Sequence, residues 1–333
     1  MAVEFFTGFE GCGATGDVLS KFTTTSSVAY SATGGYANGK CLSFSSDSTS
    51  HVINDVTAGK TKVIGFHVVG LGTYTGYTGT LSYSLVKFVA GANVIWVVNT
   101  ASGVRVYRGS TLISSSATVI ASDLTHVAIK VFSDASAGTI ELRLNGEATG
   151  IVFDNPTGLN TGGSDITSVG IGPNKTNSVK IDNVFFGDDF HGEVYSVLCN
   201  PSADSSVQFT PSAGSNYACI DEDAQNGDTD YVESSTVGHK DLYAFEDVAT
   251  SGVVIQVVAL TTVARKDDAG GRTLTPIAKQ DSTEYDQTTV TLATAYPAVN
   301  NTASTNVFSA APDAQAWTPT IFNAMTWGFK VEA

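Results

Sequence analysis

The stretch His126-Val-Ala-Ile-Lys-Val-Phe-Ser-Asp-Ala-Ser-Ala-Gly-Thr-Ile-Glu-Leu-Arg-Leu-Asn145 decides the fold. In its first arm Val127, Ile129 and Val131 alternate with more polar neighbours, and in its second Ile140, Leu142 and Leu144 do the same. A period of two sets three large aliphatic side chains from each arm on one face of a sheet. The polar, small-residue run at 133–138 supplies the turn between them. Burying one such side chain contributes roughly 1.5–3 kcal/mol, so this hairpin anchors the core of a β-domain.

The neighbouring segments extend the pattern in both directions. Asn93-Val-Ile-Trp-Val-Val-Asn99 is almost wholly apolar, the mark of a strand covered on both faces. Ser102-Gly103 turns it, and Val104-Arg-Val-Tyr-Arg108 returns with Val104 and Val106 inward and both arginines outward, as a hairpin. Residues 62–69 form another strand, in which His67 is better explained as a packed or rim residue than as a ligand. Residues 3–10 open the chain as a strand, and the glycine-punctuated loop from Ser31 feeds a short strand carrying Leu42 and Phe44 on one face. Val179-Lys-Ile-Asp-Asn-Val-Phe-Phe-Gly-Asp-Asp189 closes this half as an alternating strand that ends in a polar turn.

Residues 179–247 then form a joint of turns and short strands between two domains, 1–190 and 191–333. Within it 207–210 is strand-like. Beyond it, 251–264 is a long apolar run rich in Val, 265–272 is a polar turn, and 273–279 returns as the partner strand. Residues 288–293 alternate once more. Trp317-Thr-Pro-Thr-Ile-Phe-Asn-Ala-Met325 carries the best helix signal: Thr318 caps, Pro319 suits the first helical position, and Ile321, Phe322 and Met325 share one face. The expected fold is all-β: a sandwich, then a second β-sandwich with one short helix.

Composition narrows function. Seventeen Lys and Arg against thirty-two Asp and Glu give a net charge of −15, a surface that repels phosphate backbones and anionic lipids. Nucleic acid and membrane therefore drop out as partners. No apolar run approaches the ~20 residues needed to span a bilayer. The first residues, Met1-Ala-Val-Glu-Phe-Phe-Thr-Gly, carry an acid where a secretory signal has a basic region, which leads to the expectation of synthesis in a cytoplasm. There Cys12, Cys41, Cys199 and Cys219 are expected as free thiols, with Cys199 and Cys219 the pair if a disulfide forms.

Catalytic motifs are lacking: there is no Gly-x-Ser-x-Gly elbow, no His-Glu-x-x-His and no phosphate-binding Gly-Lys-Ser/Thr loop. Glu141 and Glu147 are the nearest paired acids for a glycosidase, but Glu141 sits on the polar face of a strand two residues from Arg143 and is read as a surface pair. Asp221, Asp223, Asn226, Asp228 and Asp230 offer oxygen ligands suited to calcium, without the spacing of an EF-hand. The competing reading, which the bends around Gly227 favour, is a solvated turn and no cofactor. Tyr36, Tyr74, Tyr77 and Tyr107 fall at loop or strand-end positions where rings can stack on sugars, although tyrosine also serves β-sheets and interfaces.

Four motifs carry a resemblance. The glycine-rich turn before Lys40-Cys-Leu-Ser-Phe44, the hairpin at 103–112, the hairpin at 125–147 and the strand at 179–188 together resemble the LamG-like, concanavalin A-like jelly roll. Residues 207–222, 228–248, 263–274 and 316–331 are similar to the C-terminal half of tailed-bacteriophage and prophage virion proteins that carry such a domain at their N-terminus. The resemblance implies a two-sheet antiparallel sandwich in a non-enzymatic structural protein on the exterior of a virion, made in the host cytoplasm. It would be a decoration or appendage protein whose partners are other capsid or tail proteins. A homo-oligomer is expected, a trimer among the forms that symmetric shells and tails favour. The alternative is a tail-fibre or adsorption protein whose jelly roll binds a host glycan.

Overall fold

The computed structural model describes residues 3–9, 12, 22–44, 51–73, 85–121, 124–146, 158–172, 179–296 and 305–333. Two compact units emerge, one built from the opening strand with Phe22–Ser196 and the other from Val197–Ala333.

The strands of the first unit are β1 (Val3–Thr7), β2 (Thr24–Ser26), β3 (Val28–Ser31), β4 (Cys41–Phe44), β5 (His51–Gly59), β6 (Thr61–Val69) and β7 (Val86–Ala90). They continue with β8 (Asn93–Thr100), β9 (Gly103–Arg108), β10 (Thr111–Ser115), β11 (Thr125–Phe132), β12 (Thr139–Leu144), β13 (Ile166–Ile171) and β14 (Val179–Gly187). Among the described residues they make two antiparallel sheets of a jelly-roll sandwich. Sheet A runs β12-β11-β6-β14-β4-β3, with β1 also on β14, and sheet B runs β10-β9-β8-β7-β13-β5-β2.

The hairpin that decides the fold pairs as its alternation requires. Val127 faces Leu144, Ile129 faces Leu142 and Val131 faces Ile140. On the other side of β11, Phe66 and Ile64 of β6 complete the same inward rows. The inward aliphatics of sheet B, including Val86, Phe88, Ile95, Val97, Val104, Val106, Val169 and Ile171, are fully buried. In β9, however, a three-residue separation puts the two arginines on opposite sides. Arg105 faces outward opposite Val98, whereas Arg108 shares the side of Val104 and Val106, opposite Ile95, and reaches solvent only because it lies at the strand end.

The second unit is also all-β, with one short helix. Its strands are β15 (Pro201–Ser206), β16 (Thr210–Pro211), β17 (Val232–Glu233), β18 (Lys240–Phe245), β19 (Val258–Thr261) and β20 (Thr273–Gln280). After them come β21 (Thr283–Asp286), β22 (Val290–Thr291), β23 (Thr305–Phe308), the helix α1 (Pro319–Ala324) and β24 (Thr326–Val331). The main sheet runs β15-β18-β24-β20-β21, with β22 also on β20; β16–β17 and β19–β23 are two-stranded ribbons. Trp327 of β24 centres the core between this sheet, the β19–β23 ribbon and α1. Its ring lies 5.4 Å from Phe308, 6.2 Å from Trp317 and 6.3 Å from Phe322. Thr318 caps α1 by accepting from the Ile321 amide at 3.1 Å, with Pro319 first in the helix.

Several expected strands are shorter or paired differently. The apolar run at 251–264 is strand only at Val258–Thr261 and pairs with β23, not with 273–279. The edges of β20 are already occupied by β24 on one side and by β21 and β22 on the other. At 288–293 only Val290–Thr291 joins the sheet. The expected strand at 207–210 yields to a side chain: the amides of Gln208 and Phe209 turn to the buried carboxylate of Asp241, at 2.6 and 2.8 Å. Strand begins only at Thr210.

All four cysteines are free, so the Cys199–Cys219 bridge is not formed. Cys219 Sγ is directed at the Ala213 carbonyl, 2.9 Å away, whereas Cys199 packs against the tryptophan core. Burial, with Glu246 and Asp247 adding their charge, pushes the Cys199 thiol up to about 11, which keeps it protonated at neutral pH.

Asp241 is the most demanding polar residue of this unit. It is wholly buried and accepts from two backbone amides, from Asn216 Nδ2 at 2.8 Å and from the Tyr243 hydroxyl at 2.6 Å. Burial, then this carboxylate, holds the Tyr243 phenol well above its ordinary range, so it remains a donor. Asp241→Ala leaves several buried donors without an acceptor, each costing about 1–3 kcal/mol. Chemical denaturation of the full chain should therefore show a loss of at least ~3 kcal/mol in the second unit; a loss under ~1 kcal/mol would contradict this role.

Candidate functional site

The two outer faces of the first unit differ in what covers them. On sheet A the chain leaving β14 folds back as a strap over residues 188–196. Asp188 meets Lys62 at 2.7 Å, Asp189 meets Lys130 at 2.7 Å, and Phe190 lies under the Arg143 guanidinium, 4.0 Å from ring centre to cation. Glu193 reaches His67 at 3.0 Å, and Tyr195 stacks on Tyr36 at 5.8 Å. Beneath the strap Phe185 crosses Gly65, where a Cβ would come within 2.0 Å of the ring, so the sheet needs glycine there.

Asn183 organises this face. It sits in a bulge of β14 with φ of 50°, a left-handed conformation that asparagine tolerates better than most residues. Its Oδ1 accepts from the Ser196 amide at 2.8 Å, which fixes the amide so that Nδ2 donates to His67 Nδ1 at 3.2 Å. His67 Nδ1 is then the unprotonated nitrogen, and Nε2–H donates to Glu193. Both nitrogens of His67 are committed, so it has none left to activate a nucleophile. The cluster of His67, Glu193 and nearby Ser196 is an anchor for the strap and not a hydrolase triad.

His126 lies beside it, 5.0 Å from His67 between ring centres and 1% exposed, and among the described residues neither ring nitrogen has a hydrogen-bond partner. Phe185 stacks over it at 6.5 Å. Burial, reinforced by His67, pushes the His126 imidazole down to about 3; burial also lowers His67 against the pull of Glu193.

Sheet B has another character. Its pairing aligns Lys87 of β7, Trp96 of β8, Tyr107 of β9 and Leu112 of β10 in one row across the outward face. Lys87 Nζ lies 5.8 Å over the Trp96 ring. Arg105 stands two residues along from Tyr107 on the same face. At the end of these strands a shallow depression of about 430 Å³ is lined by Asn93, Trp96, Arg108, Ser110 and Thr111, among others. Trp96 itself is only 8% exposed, and Tyr107 is half-buried, so the surface offers amide and hydroxyl groups and cations more than ring faces.

The tyrosines singled out in the sequence are not brought together. Tyr107 lies on sheet B and Tyr36 on sheet A against His67, 4.6 Å away; Tyr74 and Tyr77 lie outside the described residues. Trp96 and Lys87 went unrecognised because their row exists only through strand pairing. The acidic loop does not converge either. Asp223 accepts from Asn200 at 2.8 Å, Asp228 holds Arg265 at 3.0 Å and Tyr296 at 2.9 Å, and Asn226 bridges Glu222 and Asp230. Asp221 is exposed. Among the described residues no group of three or more His, Cys, Asp or Glu gathers to hold a metal ion. Glu141 is paired with Arg143 at 2.7 Å.

No protein-family model matches the chain, and no curated protein matches it. Among solved structures, the T. cruzi calreticulin globular domain is 16% identical over 57% of this chain and 89% of that one, with a TM-score of 0.34. Domain 4 of AbnA, a GH43 extracellular arabinanase from Geobacillus stearothermophilus in complex with arabinotriose, is 17% identical over 55% and 91%, with a TM-score of 0.34. The exoplasmic/lumenal domain of VIP36 in its Ca2+/Man2-bound form is 9% identical over 46% and 78%, with a TM-score of 0.30. These likenesses are partial and bear on no ligand.

The buried imidazoles make stability depend on acid. A histidine whose folded pKa lies below its ordinary value contributes stability that is present above pH ~6.5 and is lost as pH falls toward the folded value. For His126 alone the loss between pH 7 and pH 5 should be about 2 kcal/mol. Denaturation of the first unit at the two pH values checks this, and His126→Phe should remove most of the difference. A wild-type stability unchanged between pH 7 and pH 5 would contradict it.

Proposed function

We propose that the chain is a non-enzymatic structural protein on the exterior of a tailed-phage virion, a decoration or appendage protein that works through protein–protein interfaces and self-associates. The resemblance of both halves to such proteins supports this reading, and one structural observation carries it furthest. The β19–β23 ribbon pairs only with itself among the described residues, and Val307 on it is 48% exposed. A short ribbon with an exposed apolar side chain, set apart from the larger sheet among the described residues, is suited to pairing with another chain. The commitment of both His67 nitrogens also speaks against hydrolysis at the strap.

A second reading, adsorption through a host surface glycan, is favoured by the half-buried Tyr107 beside Arg105 and the exposed Leu112 on the outward face of sheet B. Aromatic faces flanked by polar groups suit sugars. Immunogold labelling of intact particles distinguishes the two. Label over the head or along the tail exterior is the expected result; label confined to the tail tip favours adsorption, and particles free of the protein would overturn both.

A further inference from the structure

The strap over sheet A is fastened in two different ways along its length. At its start Asp188 and Asp189 meet Lys62 and Lys130, and Phe190 lies under Arg143. The hydrogen bond from Lys130 holds the Asp189 carboxyl below its ordinary range, so this end keeps its charge in mild acid. Past Gly192, which takes a φ of 77°, the hold passes to a neutral imidazole and an amide. Glu193 accepts from His67, and it crosses the end of β12 so closely that a Cβ on Gly146 would fall 2.9 Å from the Glu193 nitrogen. Ser196 donates its amide to Asn183, and its hydroxyl fills the space that a Cβ on Gly8 would take. His126 lies next to both His67 and this turn, with its own amide on the Asn145 side chain. It is 1% exposed, and among the described residues neither ring nitrogen has an acceptor to meet.

We infer that residues 191–196 form an acid-sensitive latch: protonation of His67 and His126 releases them from the outer face of sheet A while the sandwich stays folded. The two protons act through different geometry. On His67 the added proton goes to Nδ1, the nitrogen that accepts from Asn183 Nδ2, and sets two N–H donors 3.2 Å apart. Turning the Asn183 amide relieves that clash only by aiming its NH2 at the Ser196 amide, so one fastening is lost either way. On His126 the added proton makes a buried cation with no acceptor among the described residues. The charged groups that neighbouring elements bring to the rings are already engaged. On β14, Asp182 accepts from the Tyr36 and Asn183 amides at 2.8 and 2.6 Å, and Lys180 donates to the Thr33 carbonyl. Lys130 of β11 and Arg143 of β12 hold Asp189 and Glu141. On the strap, His191 stands edge-on to Phe185 at 5.6 Å, and Glu193, which favours charge on His67, is outweighed there by burial. Burial lowers both imidazoles in the closed form, His126 to about 3. Closure is therefore fully favoured above pH ~6.5 and weakens as pH falls toward the closed-form values. Opening starts at the Ser196 end and stops at the ion pairs of Asp188 and Asp189.

Hydrogen exchange of the full chain, followed by mass spectrometry from pH 7.5 to pH 5.0 and corrected for the intrinsic rate at each pH, reads the opening equilibrium directly. The reporter is the Ser196 amide, resolved from overlapping peptides. Its protection should fall about thirtyfold across this range, the factor that one imidazole supplies in moving from about 3 to ~6.5. Peptides from β8, on sheet B, should change less than about threefold. His126→Phe should leave only the smaller part of the fall that belongs to His67. Asn183→Asp has the opposite chemistry: a carboxylate at this position accepts from the Ser196 amide and from protonated His67 alike, so protection should fall less steeply than in the wild type. Wild-type protection at Ser196 that stays constant from pH 7.5 to pH 5.0 would overturn the latch. A parallel loss in β8 would do the same, because acid would then be unfolding the whole sandwich. An Asn183→Asp variant that loses protection as steeply as the wild type would overturn the coupling through Asn183.

Discussion

The first unit depends on the way Asn183 is held. Its backbone takes a left-handed turn inside β14, a bulge on either side of which the strand pairs with β6, while its other edge serves β4 at one end and β1 at the other. Its side chain then spends both ends of one amide, accepting from Ser196 and donating to His67. A single group thereby fixes the strand, the tautomer of a buried histidine and the return path of the strap. The strap in turn covers His67, His126 and Phe185, which would otherwise leave a mixed polar and apolar surface in water.

The second unit uses the same device with a different residue. Asp241 draws two backbone amides, Asn216 and Tyr243 onto one buried carboxylate, and so replaces the start of an expected strand by a side-chain-directed turn. Buried polar groups of this kind are tolerated only when every partner is present. They therefore specify one arrangement of the loops around them. The tryptophan core lies on the same face of the sheet, where Trp327 pairs with Tyr243, and supplies the apolar burial that such a network lacks.

What could be read in advance follows from the range of the interactions involved. The alternation in 126–145 and in β14 is local, and it located the inward rows of the sandwich core, which the structure pairs as Ile129–Leu142 and Val131–Ile140. The cap at Thr318 is equally local and was legible for the same reason. Pairing partners in the second unit are not local. The Val-rich run before Ala264 has the composition of a long central strand, but β24 and β21 take the edges of β20 that it would have needed. The sheet B row was hidden for a similar reason: Lys87, Trp96 and Tyr107 are about ten residues apart and meet only through register. The tyrosines offered an incomplete guide, since Tyr36 turned out to be packing for the strap.

The central claim is that the outer face of sheet A is sealed by its own chain. Hydroxyl-radical footprinting of the purified protein, read residue by residue by mass spectrometry, tests it directly. Phe185, His67 and His126 should be oxidised slowly, and Tyr107 and Leu112 on sheet B quickly. Rapid oxidation of His126 and Phe185, at rates matching Leu112, would show that the strap does not cover sheet A and would contradict the account.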